Sequence, residues 1–336
     1  MPSVEGIAFG HAAVRASTEP GEPSLMPAKH DSANTQLIVE GRPLVAGIGI
    51  SHPDRVIYPK LGVTKLEFAR YFGTIAHWML PHVAGRPLTL VHCPSGVNGT
   101  CRFLKHAKAW GPSALRRIRI QEKTKTGEYL VADSAEAVVS LAQMGVVEIH
   151  TWNSTAEDLE RPNRIVWDLD PGPSTRWTDV VAGARLLRRV LRAIGLEAWV
   201  KTTGGRGLHV VVPIRRGPDW SECLDFARAV SDAVVDSSPA LYTTQFLKRG
   251  REDKILFDYL RNNRTNTTIC AFSPRARDGA PVSVPIDWAD LDRSRPDWTL
   301  STVVRRLHRL RDDPWRRYWT SSQRLTGQAA RAVKAL

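Results

Sequence analysis

The feature that most constrains the fold is an apolar segment that ends in two carboxylates. Residues 165–167 favour a β-strand, and the Pro-Gly-Pro break at 171–173 stops it. Because side chains alternate along a strand, Asp168 and Asp170 are predicted to lie on one face of a sheet. Neighbouring like charges repel, and a common reason for keeping them is that their oxygens bind a divalent cation. A strand end whose acids simply face water is the alternative.

The charge balance indicates what kind of partner the chain binds. Its 336 residues suffice for one large domain or two small ones, and 42% hydrophobic and 24% charged residues are ordinary for a globular protein. The formal net charge of +13 is not ordinary and favours a polyanion, most simply nucleic acid. An acidic membrane surface is less favoured, since the sequence contains no basic amphipathic helix with a clean apolar face and no apolar run of transmembrane length.

The amino-terminal segment and the cysteines indicate the compartment. Residues 1–36 mix Gly, Pro, Ser, Ala and His, lack the pattern of a signal peptide, and are expected to form a flexible tail. Cys93, Cys101, Cys223 and Cys270 have no C-x-x-C spacing. This spacing predicts neither a structural zinc site nor a disulfide framework, and it favours a reducing cytoplasm.

Local signals predict a mixture of helices and strands from residue 37 onward. Thr64 followed by Glu67 is the signature of a capping box, and a helix is predicted from 65 to about 80. The other predicted helices cover 135–144, 176–194, 221–233 and 300–310, and the predicted strands include 87–92, 129–131, 146–152, 254–260 and 267–272. The last residues, from 323 to 336, are expected to be frayed.

A glycine-rich loop between two predicted strands is the second informative segment. Its glycines allow backbone N–H groups to approach an anion closely, and Thr203, Arg206 and His209 add a hydroxyl, a cation and an imidazole. It is neither a Walker loop nor a dinucleotide fingerprint. A phosphate-binding loop and a tight hairpin turn are both compatible with this pattern.

A third acid, Asp258, lies near the end of the strand predicted at 254–260. Three carboxylates on adjacent strands, a phosphate-binding loop and a basic surface are typical of a nucleotidyl-transfer site. In such a site two divalent ions activate the attacking hydroxyl and stabilise the leaving pyrophosphate.

Several segments together resemble the polymerase domain of bacterial DNA ligase D, which belongs to the archaeo-eukaryotic primase superfamily. The matching segments are R-I-V-W-D-L-D-P-G-P at 164–173, K-T-T-G-G-R-G-L-H-V at 201–210, D-Y-L-R-N at 258–262, F-S-P-R-A-R at 272–277, and residues 51–59 and 148–154. They follow the family's motif order and cover about residue 40 to residue 320. The resemblance implies an α+β fold, with a primase-polymerase catalytic core whose mostly antiparallel RRM-like sheet is flanked by helices.

The resemblance also implies a metal and nucleotide site. Two divalent ions, commonly manganese in this family and otherwise magnesium, would be bound by the catalytic carboxylates of Asp168, Asp170 and Asp258. The incoming nucleotide would be bound by His150, Thr203, Arg206, His209, Arg251 and Arg275. From the residues alone, a lone histidine at a strand end such as His150 is usually structural.

DNA contacts are implied at two further places. Arg55 and Lys65 stand where the family grips the 5′-phosphate at a DNA break, although solvated surface charges are the alternative reading. Arg102 and Phe103 stand where the family often has two adjacent aromatics that stack on the template. Here one ring is replaced by a guanidinium plane, which can also stack. A core position for Phe103 is the alternative.

These inferences predict a template-dependent nucleotidyltransferase that adds nucleotides, preferably ribonucleotides, at DNA ends and short gaps in non-homologous end joining. Ku and a separate DNA ligase are the expected protein partners, in the nucleoid-associated cytoplasm and without a membrane. The catalytic domain would span 37–322, divided into 37–160, 161–290 and 291–322. Because the sequence lacks a K-x-D-G ligase motif, the chain is expected to be either a stand-alone polymerase or a piece of a longer protein. A start at Met1 with a tail unlike the core favours the stand-alone polymerase. A de novo primase and a non-catalytic DNA-end-binding repair factor are the alternatives.

Overall fold

The computed structural model describes residues 38–39, 41–107, 111–292 and 295–333. The tail predicted for 1–36 lies outside the described residues. In the described part of the chain, no helix combines the length and the apolar character that a membrane span requires.

Groups of strands are separated by single helices up to β17, and three helices follow it. The helices are α1 Lys65–Val83, α2 Ala135–Gln143, α3 Trp177–Ala193, α4 Trp220–Ser237, α5 Leu300–Leu307, α6 Arg316–Trp319 and α7 Gly327–Val333. The strands are β1 Ile38–Val39, β2 Arg42–Val45, β3 Ile48–Gly49, β4 Val56–Tyr58, β5 Val63–Thr64, β6 Leu88–His92, β7 Arg102–Leu104, β8 Arg116–Gln121, β9 Thr126–Val131, β10 Val146–Thr151, β11 Arg164–Pro171, β12 Trp199–Thr202, β13 Leu208–Pro213, β14 Tyr242–Thr243, β15 Ile255–Asp258, β16 Thr268–Ile269 and β17 Pro285–Ile286.

A six-stranded sheet in the order β14-β15-β11-β13-β12-β17 carries the central segment, and all of its pairings except β14–β15 are antiparallel. Alternate residues of β11 face opposite sides. Trp167 is buried towards α4, where its indole N–H donates to the Ala227 carbonyl at 3.0 Å. Val166 packs with Trp315 and Tyr318 instead. By the same alternation, Asp168 and Asp170 share the face of Val166 and not the helix-covered face of Trp167.

A four-stranded antiparallel sheet in the order β16-β10-β6-β7 packs against α2 and carries His150 and the Arg102–Phe103 pair. Buried Lys201, on β12 of the larger sheet, donates to the Ile269 carbonyl of β16 at 2.9 Å. Because Ile269 is paired with His150, this bond ties the two sheets together beside that histidine. These arrangements agree with the α+β primase-polymerase fold that the resemblance implies.

Most predicted elements are confirmed, although several of their boundaries differ. Thr64 and Glu67 form the expected capping box at the start of α1. The predicted strand at 267–272 contracts to the two residues of β16. The carboxyl-terminal segment is not frayed throughout, because α7 buries Ala329 and Val333 against the domain, near α4. These two residues are four apart, so they lie on one helix face.

The cysteine prediction is wrong in one respect. Cys93 and Cys101 form a disulfide, whereas Cys223 and Cys270 are free and buried. A tight loop after β6 returns the chain to β7, so the two Cα atoms lie 4.3 Å apart. Such proximity depends on the loop conformation and not on a recognisable spacing.

Candidate active site

Strand register brings the acidic and imidazole side chains together. β11 lies between β15 and β13, and Asp168 is the direct cross-strand partner of Asp258 on one side and of His209 on the other. We call Asp258, Asp168 and His209 the active-site row. Their side chains retain 10%, 16% and 3% of their exposure, whereas that of Asp170, two residues along the same face, retains 57%. The sequence-based prediction that these acids lie on adjacent strands is confirmed.

Two arginines pair with the carboxylates. The Arg261 guanidinium bridges two members of the row, with Nη2 3.0 Å from Asp168 Oδ2 and Nε 3.0 Å from Asp258 Oδ2. Arg251 Nη2 lies 3.4 Å from Asp170 Oδ2. The sequence analysis includes Arg261 only within the segment D-Y-L-R-N at 258–262 and assigns it no role. The signal that could have identified it is its position three residues after Asp258, within the short 3₁₀ turn that follows β15.

Burial and neighbouring charges set the protonation states of the row. Burial acts to raise the pKa of Asp168, but His209, Arg261 and Lys201 outweigh it and hold that pKa well below its usual value. Burial raises the pKa of Asp258 to about 6, against the opposing effect of Arg261. Burial, assisted by Lys201, lowers the pKa of His209 to about 4. At neutral pH the row therefore presents two carboxylates and a neutral imidazole.

The donor set of the row suits a hard divalent cation. Within the described ranges, no three His, Cys, Asp or Glu side chains are arranged to hold a metal ion. The guanidinium of Arg261 lies against oxygens of both Asp168 and Asp258. The oxygen ligands themselves, two nearly buried carboxylates with a third on the same face, are those that Mg²⁺ and Mn²⁺ prefer. A cation bound by this pair would replace the arginine.

A cavity of about 230 Å³ adjoins the row. The predicted nucleotide-binding residues that line it are His150, Thr203, Arg206, His209 and Arg275. Arg251 does not. It lines a neighbouring cavity of about 460 Å³ together with Asp170, Arg206, Lys248 and Arg249. A third cavity, of about 310 Å³, lies behind the glycine-rich loop and also includes Arg206. Two larger cavities, of about 550 and 800 Å³, contain none of the predicted site residues.

The glycine-rich loop, over 203–207, is braced from inside by Thr203. The Thr203 hydroxyl donates to the Gly207 carbonyl at 3.1 Å and accepts from the Gly205 N–H at 3.2 Å. Gly204 has a φ of +67°, and a Cβ at Gly207 would collide with the Leu169 carbonyl of β11. Arg275 Nη1 donates to the Thr203 carbonyl at 2.9 Å. The loop is thus held directly against the strand that carries the acids.

Glu148, to which the sequence analysis gave no role, connects two of the predicted nucleotide-binding residues. Its Oε2 lies 2.9 Å from His150 Nε2 and 3.1 Å from Arg275 Nε. Burial acts to raise the pKa of Glu148, but His150 and Arg275 outweigh it and lower that pKa to about 2. A buried, ionised Glu148 therefore fixes the orientation of both side chains towards the cavity.

The remaining predicted residues form what we call the DNA-end surface: Arg55, Lys65, Arg102 and Phe103. Arg55 is exposed and donates to the Pro94 carbonyl at 3.0 Å. Lys65 is only 4% exposed, and burial together with Arg55 lowers its pKa to about 8. Neither cation has an acidic partner among the described residues, which is the arrangement expected of an anion site and not of ordinary surface charges.

The side chain of Phe103 is 74% exposed, so the alternative prediction of a core position for this residue is wrong. Its ring centroid lies 6.3 Å from that of His150. Arg102, beside it on β7, is also exposed. An exposed aromatic and a cation therefore stand next to His150, which lines the cavity beside the active-site row.

Comparison with known proteins connects this geometry to a family. Residues 64–315 match the family model described as LigD, primase-polymerase domain. The chain belongs to the LigD primase-polymerase family. The multifunctional non-homologous end joining protein LigD of Pseudomonas aeruginosa is 38% identical over 316 residues, which cover 93% of this chain and 37% of that protein. The corresponding LigD of Mycolicibacterium smegmatis is 33% identical over 246 residues, which cover 73% and 32%. This LigD family member thus spans about a third of the length of these relatives.

A solved structure extends the LigD similarity to three dimensions. The polymerase domain from Mycobacterium tuberculosis Ligase D, in complex with DNA, matches with a TM-score of 0.77 at 29% sequence identity. The match covers 82% of this chain and 99% of that one. The expected α+β primase-polymerase fold is confirmed.

Proposed function

We propose that this LigD-family chain is a template-dependent nucleotidyltransferase that adds nucleotides, ribonucleotides by preference, at DNA ends and short gaps. The observation that carries the proposal is the active-site row, in which Asp258, Asp168 and His209 lie side by side and adjoin a glycine-rich loop. The structural relative in complex with DNA and the end-joining relatives support the same activity. A role in non-homologous end joining, with Ku and a separate ligase, belongs to this proposal.

The reaction is in-line attack of a primer 3′-hydroxyl on the α-phosphate, with pyrophosphate leaving. Two divalent ions, manganese or magnesium, would be held by Asp168, Asp170 and Asp258, and would supply activation of the hydroxyl and neutralisation of the leaving group. The braced loop, with Arg206 and Arg275, positions the triphosphate without reorganisation during the reaction.

The DNA-end surface positions the other substrate. Arg55 and Lys65, which have no acidic partner in the described part of the chain, bind the 5′-phosphate on the far side of a gap. Phe103, with the guanidinium plane of Arg102, stacks on the template. The net charge of +13 adds sequence-independent attraction to the DNA backbone.

Primer extension on a short gapped duplex with a 5′-phosphate tests the proposal. Ribo- and deoxynucleotides are offered separately with Mn²⁺, to the intact chain and to Asp168→Ala and Asp258→Ala. Asp225→Ala is the matched control, because Asp225 is an exposed acid on α4, the helix on the opposite side of β11. We expect ribonucleotide addition by the intact chain and the control, and none by the two site variants.

Two outcomes would contradict the proposal. Tight binding of the gapped duplex by the intact chain, without any nucleotide addition, would indicate a non-catalytic end-binding factor. Synthesis of a dinucleotide without a primer would indicate a primase.

A further inference from the structure

Arg261 lies where two carboxylates of neighbouring strands converge. Its Nη2 and Nε atoms each lie 3.0 Å from an oxygen, the first of Asp168 and the second of Asp258. These two acids are direct cross-strand partners, and both are nearly buried. Like charges in that position repel, so the arginine supplies the counter-charge that allows both carboxylates to stay ionised.

Hydrogen bonds made by the two neighbours of Arg261 fix the backbone on both sides of it, so the position of its Cα is defined. The Leu260 N–H donates to Asp258 Oδ1 at 2.9 Å. The Asn262 side chain accepts from the Val166 N–H and donates to the Val166 carbonyl, both at 2.8 Å. The arginine is thus fixed to the same strand that carries Asp168.

The Arg261 side chain also borders a cavity in which it could bind a different partner. It retains 38% of its exposure and lines the cavity that contains Thr203, Arg206 and Arg275. A triphosphate in that cavity would offer oxygens to the guanidinium, which binds phosphate as readily as carboxylate.

From this geometry, and resting on the proposed function, we infer that Arg261 is a built-in competitor of the metal ion. It neutralises the Asp168–Asp258 pair in the metal-free protein, and it transfers to the nucleotide phosphates when a divalent cation takes the carboxylates. A free cation must therefore displace a charge-assisted ion pair, whereas a cation that arrives with a nucleotide brings the replacement partner for the arginine. Metal and nucleotide consequently bind with positive cooperativity.

Direct measurement of Mn²⁺ binding tests the inference without catalysis. Free Mn²⁺ is followed by electron paramagnetic resonance in titrations of the intact chain, Arg261→Gln and Arg264→Gln, with and without a non-hydrolysable ribonucleoside triphosphate analogue. Arg264 is the matched control, because it lies in the same turn region but pairs with Glu160, at 2.6 Å, outside the cavity.

Without nucleotide, we expect Arg261→Gln to bind Mn²⁺ about ten-fold more tightly than the intact chain, and Arg264→Gln to bind it equally well. With the analogue present, the intact chain should gain affinity for Mn²⁺ and the difference from Arg261→Gln should shrink. An affinity of Arg261→Gln that equals or falls below that of the intact chain without nucleotide would overturn the inference. Absence of Mn²⁺ binding in every protein, even with the analogue, would overturn the proposed metal site together with it.

Thermal unfolding provides a second readout. Arg261→Gln leaves two nearly buried carboxylates without their counter-charge, so its Tm without metal should be lower and Mn²⁺ should raise it by more than in the intact chain. Equal Mn²⁺-induced shifts would count against competition. If Arg261→Gln does not fold, Arg261→Lys serves instead. The single ammonium of lysine cannot pair with Asp168 and Asp258 in the way that the two guanidinium nitrogens do, so the Arg261→Lys protein should bind Mn²⁺ more tightly than the intact chain does.

Discussion

The active-site row and the DNA-end surface are constructed in opposite ways. The row lies on interior strands of the six-stranded sheet, and each of its side chains has a charged neighbour within 3.4 Å. The DNA-end surface lies on loops, on the first turn of α1 and on the edge strand β7, and its cations have no acidic partner among the described residues. The charges of the row are compensated within the protein, whereas the cations of the surface are available for the anionic partner that we propose.

This difference shows which physical effect positions each group. Register positions the row, because a slip of one residue would move Asp168 and Asp170 to the face covered by α3 and α4. Local turns and caps position the surface, where Thr64 caps the helix that begins at Lys65. Disturbance of the row should therefore affect stability and catalysis together, whereas changes on the surface should affect only DNA binding.

The largest expected effect comes from Asn262→Ala, which removes a support of the row without altering the row itself. Asn262 is 1% exposed and bonds both the N–H and the carbonyl of Val166, two residues before Asp168. Its loss leaves buried backbone groups unpaired, which should lower the free energy of unfolding by about 2–5 kcal/mol and reduce nucleotide addition. Urea denaturation measures the first effect and primer extension the second.

Asn266→Ala is the control for that variant, because the Asn266 side chain donates to the Leu260 carbonyl but to no group of β11, and the residue is less buried. We expect a loss of about 1 kcal/mol or less there. Equal losses of unfolding free energy in the two variants would show that Asn262 supports the active-site row no more than an ordinary turn residue does.

A smaller effect, and one that depends on pH, is expected at Lys65. Burial and Arg55 lower its pKa to about 8, so the free protein loses this cation as the pH rises through 8. Preference for a gapped duplex with a 5′-phosphate over one with a 5′-hydroxyl should therefore weaken between pH 7 and pH 9. A bound phosphate favours the ammonium, so the transition in the complex should lie above 8.

Lys65→Arg distinguishes this cause from general effects of pH on the duplex. The guanidinium stays charged throughout the range, so the preference should persist to pH 9 in the variant. Fluorescence anisotropy with the two duplexes provides the measurement. The same decline in Lys65→Arg as in the intact chain would show that another group titrates.

The smallest effect is expected from Phe103→Ala. With 74% of the side chain exposed, its removal should leave Tm unchanged. Binding to gapped DNA should weaken about five-fold, roughly 1 kcal/mol and the lower end for base stacking, because Arg102 remains beside it. Leu247→Ala, at an 80% exposed residue in the segment between β14 and β15, is the control. Equal losses of binding in the two variants would argue against stacking.

Much of the site was predictable because its signals are local. Alternation along β11 predicts that Asp168 and Asp170 share a face, and the order of the motifs places Asp258 on a nearby strand. Thr203 was predicted as a phosphate ligand, and the structure adds that its hydroxyl braces the loop. The individual binding roles remain predictions.

What the sequence determined by itself is therefore the set of elements that local patterns encode: the acid-bearing strand and its Pro-Gly-Pro stop, the capping box at α1, the glycine-rich loop and the basic character of the whole chain. Only the tertiary structure decided that Arg261 bridges Asp168 and Asp258, that Glu148 lies between His150 and Arg275, and that Cys93 and Cys101 meet. Glu148 and Arg275 belong to segments well over a hundred residues apart, and a tight loop brings the cysteines together. Such contacts depend on how strands are ordered and how loops close, and no pattern of neighbouring residues specifies either.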